Sequence, residues 1–153
     1  MSTGRHRNPI PTVDVIIEQN SRILMIRRKN DPYKGCLALP GGFVDEGEKI
    51  EDAAIREANE ETSLNIHLVD ILGVYSDPQR DPRGHLISTA FVGIVPTDNV
   101  SVEASAQDDA SEVEWINLEA INKNKKILFD YKAWKESGGT FWSSKDQSNL
   151  VAV

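Results

Sequence analysis

Glu57, Glu60 and Glu61 stand within the run Arg56-Glu57-Ala58-Asn59-Glu60-Glu61. If the chain is helical from about Ile50 to Thr62, Glu60 and Glu61 lie three and four positions beyond Glu57, on one helix face where side chains meet. Like charges at that spacing repel, at roughly 0.2–0.5 kcal/mol per pair on an isolated helix, and a bound cation relieves such a cluster. Hard oxygen ligands favour Mg²⁺, with Mn²⁺ as the alternative ion. A divalent-metal site is therefore the first chemistry expected of this chain.

The elements that would position these acids can be read from periodicity. Pro11 to Gln19 carries Val13, Val15, Ile16 and Ile17, and Arg22 to Arg28 carries Ile23, Leu24, Met25 and Ile26. Both read as strands, with Asn20-Ser21 as a hairpin connection that lacks the usual glycine. Leu37-Ala38-Leu39 leads into Pro40-Gly41-Gly42, where glycines permit close approaches that side chains would block. Ile50, Ala53, Ala54 and Ala58 then recur at helical spacing and give the acidic helix a small-residue face suited to lying against a sheet. Ile66 to Tyr75 and Leu86 to Val95 are the next strands, joined by a loop with two prolines and the cationic candidates Arg80, Arg83 and His85. Val113 to Ile116 reads as a short last strand and Leu118 to Asn122 as a helical turn. Lys125 to Lys135 reads as an amphipathic helix ended by Gly138-Gly139. Strands interspersed with helices indicate an α/β or α+β sandwich.

Composition bounds the function classes. The 153 residues suit one domain, and 39% hydrophobic content can build a core. A net charge of −7 disfavours non-specific attraction to nucleic acid and offers no polybasic membrane patch, and no apolar run approaches bilayer-spanning length. The single Cys36 forms no internal disulfide; it is expected to be a buried or semi-buried thiol in a reducing, cytoplasmic compartment. Trp115, Trp134 and Trp142 are expected as core or interface aromatics, and His6 and His67 as surface residues.

Gly42 is followed after five residues by Glu48, and Glu48 after seven by Arg56-Glu57-Ala58-Asn59-Glu60-Glu61-Thr62-Ser63-Leu64. This pattern resembles the box that marks Nudix hydrolases, which act on nucleoside diphosphates linked to another moiety. Asn8-Pro9-Ile10-Pro11-Thr12-Val13-Asp14, Leu39-Pro40-Gly41-Gly42-Phe43 and the stretch from Tyr75 to His85 extend the resemblance to the ADP-ribose pyrophosphatase branch. It implies one Nudix-type α/β/α sandwich with a mixed β-sheet between helices. The domain would span 1–153, with a core of about 8–136 and a C-terminal extension over 137–153.

The resemblance also implies roles. Glu57, Glu60 and Glu61, joined by the Gly42 carbonyl, would hold Mg²⁺ against a diphosphate, with Arg56 orienting the ligands and Glu48 as its partner. On residues alone, the alternative for Arg56 is a surface i,i+4 partner of Glu60 worth tenths of a kcal/mol. The general base is Glu60 or an acid before the last strand; of Asp108, Asp109 and Glu112, Glu112 is the favoured candidate. Arg28, Arg80, Arg83 and His85 are the candidates for phosphate or ribose contacts. The implied activity is Mg²⁺-dependent hydrolysis of ADP-ribose to AMP and ribose 5-phosphate by a homodimer. The alternatives are another nucleotide substrate for the same scaffold, or a non-catalytic ADP-ribose sensor acting on a DNA-bound partner. Retention of all three acids and the lack of an evident DNA-binding element weigh against the sensor.

Two positions depart from the family pattern. Ser63 stands where the pattern has glycine, and Ala58 where it has a bulky aliphatic residue. If Ser63 takes a left-handed conformation to end the helix, the cost is on the order of 1 kcal/mol.

Overall fold

The computed structural model describes residues 7–96, 110–120 and 126–138. Strands β1 (Ile10–Gln19) and β2 (Arg22–Arg28) are followed by the short β3 (Leu37–Ala38) and β4 (Gly41–Phe43). Helix α1 (Ile50–Thr62), strands β5 (His67–Tyr75), β6 (Leu86–Ile94) and β7 (Ala110–Asn117), a 3₁₀ turn (Leu118–Ala120) and helix α2 (Lys126–Glu136) complete the order.

β1 organises the sheet. Its first part pairs in parallel with β6 from Ile10 to Ile17 and antiparallel with β4 at Thr12 to Asp14, whereas its last two residues pair antiparallel with β2. β5 lies antiparallel beyond β6, and β7 antiparallel along β2. The strand order is β3-β2-β1-β6-β5, with β4 on β1 and β7 on β2. Successive strand residues face opposite sides, so β1 feeds two cores. Val13, Val15 and Ile17 pack with Ala53, Ala54 and Ala58 of α1, while Ile16 packs with Leu128 and Tyr131 of α2. A mixed sheet between two helices is thus the architecture, as the sequence implied. Among the described residues no helix is long and apolar enough to cross a membrane.

Local chemistry explains the element ends. Asn20 and Ser21 take positive φ values of 53° and 60°, so the β1–β2 turn adopts the left-handed geometry a hairpin needs without glycine. Helix α1 covers the expected Ile50 to Thr62 and ends at Ser63, whose φ of 64° and ψ of 10° place it in the left-handed region. The Ser63 N–H donates to the Asn59 carbonyl at 2.8 Å. The small Ala58 is fully buried and lets the helix lie close to the sheet.

Some expectations needed correction. β7 begins at Ala110 rather than Val113, because its ladder follows β2 as far as Arg28, across a bulge. The helical turn is described over Leu118–Ala120 and α2 over Lys126–Glu136, one residue beyond the expected Lys135; Ile121, Asn122 and Lys125 of the expected spans lie outside the described residues. β3 and β4 carry too few residues to show a strand period. Cys36 is exposed, not buried, because it sits in the turn before β3. Trp134 stacks on Tyr131 with ring centroids 5.5 Å apart and donates from Nε1 to Asp70, while Trp115 packs against the α1 core. His67 is exposed; His6 and Trp142 lie outside the described residues.

Candidate active site

The site is built on α1 and the β4 turn that faces it. Arg56 is its centre: Nε donates to Glu48 Oε2 at 2.7 Å and Nη2 to Glu48 Oε1 at 2.9 Å, a two-pronged pair. Nη1 donates to Glu57 Oε1 at 2.8 Å and to Glu60 Oε2 at 3.1 Å, and Nη2 reaches the Phe43 carbonyl at 3.1 Å. One guanidinium therefore ties the turn, Glu48, Glu57 and Glu60 together. This is far more than the isolated surface pair that spacing alone allowed. Arg56, with a second contribution from the Asp45 N–H, holds the Glu48 carboxyl down at about 2. Glu48 in turn raises the Arg56 guanidinium above its already high ordinary value.

Glu57 behaves differently. Burial pushes its carboxyl above the ordinary value, with Arg56 opposing and the charges of Glu60 and Asp45 adding to the rise. Loss of solvent thus outweighs the pull of Arg56 on this carboxylate. Glu61 is buried, 6% exposed, and its Oε2 accepts the Gly41 N–H at 3.2 Å.

Both glycines of β4 have close neighbours. A Cβ at position 42 would stand 2.6 Å from Cδ and Oε1 of Glu57, and one at position 41 would stand 2.1 Å from the Val13 carbonyl. Both contacts are far inside van der Waals distance: at position 41 the obstacle is β1 backbone, whereas at position 42 it is the end of the Glu57 side chain, which a larger residue would displace.

Among the described residues, no three carboxylate, imidazole or thiolate groups are gathered so as to enclose a metal ion. The donor chemistry nonetheless suits a hard divalent cation: three carboxylates on one helix, one of them half-buried and held short of full solvation, beside the Gly42 backbone.

On the other face of the sheet lies a cleft of about 680 Å³. Met25, Leu39 and Leu128 line its apolar part, and Asp14, Tyr75 and Arg80 its polar part. The loop before β6 shapes it through two aspartate turns, in which Asp77 and Asp81 accept the backbone N–H groups of Gln79 and Arg83. Arg80 faces the cleft and its side chain makes no ion pair with the described residues, although its charge acts on Asp14. Arg83 is engaged instead by both oxygens of Asp81 and lies 5.2 Å over the Phe43 ring. His85 Nε2 contacts the Ser76 carbonyl, and Arg28 Nε donates to the Pro32 carbonyl at 2.7 Å. Glu112 lies within β7, is 66% exposed, and accepts from Arg27 Nε at 3.4 Å. Asp108 and Asp109 lie outside the described residues.

A NUDIX domain family model matches residues 8–136. The chain belongs to the Nudix hydrolase family. This Nudix hydrolase is 48% identical over 132 residues to an ADP-ribose pyrophosphatase from Methanocaldococcus jannaschii, covering 84% of this chain and 76% of that protein. It resembles a solved bifunctional NMN adenylyltransferase/ADP ribose pyrophosphatase from Francisella tularensis, complexed with AMP and a manganese ion. The TM-score is 0.62 and the identity 34%, over 82% of this chain but only 38% of that one. It also resembles the NUDIX domain of Shewanella oneidensis NrtR in complex with ADP ribose, with a TM-score of 0.63 and 25% identity over 74% of this chain and 76% of that one.

Within this Nudix fold the sequence reading missed Asp14. The side chain lines the cleft, its Oδ2 accepts the Ser88 hydroxyl, and burial raises its carboxyl, against the pull of Ser88, Arg80 and Arg83. One signal was available: a carboxylate inside the apolar run from Val13 to Ile17. Tyr75, whose hydroxyl donates to Asp130 at 2.8 Å, and Lys126, which donates to the same carboxylate, were missed as well. They come together only when α2 docks against β5.

Proposed function

We propose that this protein hydrolyses the diphosphate bond of ADP-ribose, giving AMP and ribose 5-phosphate, with Mg²⁺ or alternatively Mn²⁺ at the acidic helix. The observation that carries the reading is the convergence of Glu48, Glu57 and Glu60 on the Arg56 guanidinium, beside Gly42, where any Cβ would displace the Glu57 carboxylate. Similarity to an ADP-ribose pyrophosphatase over most of the chain supports the substrate.

Glu57, Glu60 and Glu61, with the Gly42 carbonyl, would hold the ion. When bound, a divalent cation neutralises diphosphate charge and lowers the pKa of a coordinated water. Arg56 keeps Glu57 and Glu60 at fixed positions, and Glu48 keeps Arg56 in place. Glu60, whose side chain is 43% exposed, is the residue to orient water and accept its proton. Glu112 is the second candidate, weakened by its engagement with Arg27. Arg80 supplies the positive charge facing the substrate's phosphates, while Arg83, His85 and Arg28 hold the turns around it. We also place the protein in the cytoplasm as a homodimer, a state that sedimentation equilibrium would confirm or refute.

A panel of nucleoside diphosphate sugars and damaged nucleoside triphosphates, assayed with each metal ion, tests the reading. ADP-ribose should be the best substrate. Rapid turnover of another nucleotide beside negligible turnover of ADP-ribose would overturn the substrate assignment.

A further inference from the structure

On the side of β1 that faces α2, Asp14 stands between Thr12 and Ile16. Its neighbour on that face, Ile16, joins the α2 core, as the alternation of the strand requires. A carboxylate at such a position is costly to desolvate unless something engages it. The Ser88 hydroxyl engages Oδ2. Oδ1 lies toward Gly41, 3.1 Å from the point at which a Cβ there would stand, a position that only glycine leaves open. Asp14 and Arg80 line the same cleft, one an acceptor and the other a donor.

The placement along the cleft narrows what Asp14 could recognise. Asp14 pairs with Gly41 in the β1–β4 ladder, and the Gly41 N–H is the group that Glu61 accepts. Asp14 is thus a cleft-lining residue linked through Gly41 to Glu61 of the acidic helix. The apolar lining, Leu37, Leu39, Val74, Ile127 and Leu128, suits a flat base. In ADP-ribose the groups joined directly to the phosphates are both riboses, which offer hydroxyl donors. A carboxylate accepts from a hydroxyl but repels phosphate; the cation on the same wall does the reverse.

We propose that Asp14 is a specificity-determining residue that accepts a hydrogen bond from a ribose hydroxyl next to the scissile diphosphate. Ser88 fixes the carboxylate's orientation. This deepens the functional reading above and rests on it. It implies that substrates lacking that hydroxyl are discriminated against, whether it belongs to the adenosine ribose or to the distal one.

The test compares kcat/KM for ADP-ribose, an analogue deoxygenated in the adenosine ribose and an analogue deoxygenated in the distal ribose. The wild-type protein should prefer ADP-ribose over one analogue by about 10- to 100-fold, the range for a hydrogen bond to a charged group, and the disfavoured analogue identifies the ribose. Asp14→Ala should bring that ratio close to one. Asp14→Asn, which keeps size and a neutral acceptor, should narrow it at least about threefold and guards against a folding defect in the alanine variant. A uniform loss on all three substrates, an unchanged ratio in both variants, or no wild-type preference overturns the inference while leaving the activity in place. Wild-type protein that cleaves none of the three overturns the functional reading and this inference with it.

Discussion

The Glu57 carboxylate occupies the space in which a side chain at position 42 would begin: a Cβ there would meet Cδ and Oε1 at 2.6 Å and Oε2 at 2.7 Å. The clash is with the far end of a flexible side chain, so the fold can absorb it by moving Glu57. Gly42→Ala should therefore leave the thermal midpoint nearly unchanged and lower kcat/KM by about 100-fold, the scale of a 1 Å misplacement at an active site. Paired melting curves and kinetics check this. Parallel losses of stability and activity would show that the glycine serves packing alone.

Arg56→Lys keeps the charge but loses the fork that reaches Glu48 through two nitrogens while Nη1 bridges Glu57 and Glu60. Metal affinity and turnover should each fall by about 10- to 100-fold, as expected when a residue that orients ligands is lost. Titration of Mn²⁺ by electron paramagnetic resonance, beside activity assays, measures both. Unchanged metal affinity would make Arg56 structural.

The two arginines of the loop before β6 should separate. Arg80 faces the cleft, whereas Arg83 is held by Asp81 and Phe43. Arg80→Ala should raise KM for ADP-ribose about 10-fold or more through loss of charge-assisted contacts. Arg83→Ala should raise it less, with the larger effect on protease sensitivity of the loop. The reverse order would move the phosphate clamp to Arg83.

Ser63 pays for its left-handed φ of 64°, which glycine adopts without strain. Ser63→Gly should stabilise the protein by up to about 1 kcal/mol, a rise of about 2–4 °C in Tm for a domain of this size. Differential scanning calorimetry reads it. A fall in Tm would mean that the serine contributes more than its backbone costs.

Much of the site was legible because it is local. Gly42, Glu48, Arg56, Glu57, Glu60 and Glu61 span twenty residues and one helix, so spacing alone places the acids on one face. Ile50, Ala53, Ala54 and Ala58 fixed the opposite face for the same reason. The cleft is another matter. Asp14, Ser88, Arg80 and Lys126 come from separate elements, joined by parallel pairing of β1 with β6 and by docking of α2, and no period in the chain reports such contacts. Arg83 and His85 were read as ligand contacts from residue type, but Asp81 and Ser76 supply partners within the same loop.

Stability should fall at alkaline pH. Burial first, and then the carboxylate each hydroxyl meets, raises the phenols of Tyr75 and Tyr131 above their ordinary value; the partners are Asp130 and Glu18. Above about pH 10 the unfolded chain loses these protons while the folded protein keeps them, so the unfolded state binds fewer protons and stability declines as pH rises. Each tyrosine adds at most about 1.4 kcal/mol per pH unit to that slope. Urea denaturation between pH 8 and 11 should show the decline, and Tyr131→Phe should flatten it. A flat wild-type profile would contradict the assignment.

Product analysis of ADP-ribose incubated with the wild-type protein and with Glu60→Gln, each with and without Mg²⁺, tests the central claim most directly. The account predicts AMP and ribose 5-phosphate in equal amounts from wild-type protein with Mg²⁺, and almost none without the ion or from the variant. Equal product formation without divalent metal, or full activity of Glu60→Gln, would contradict it.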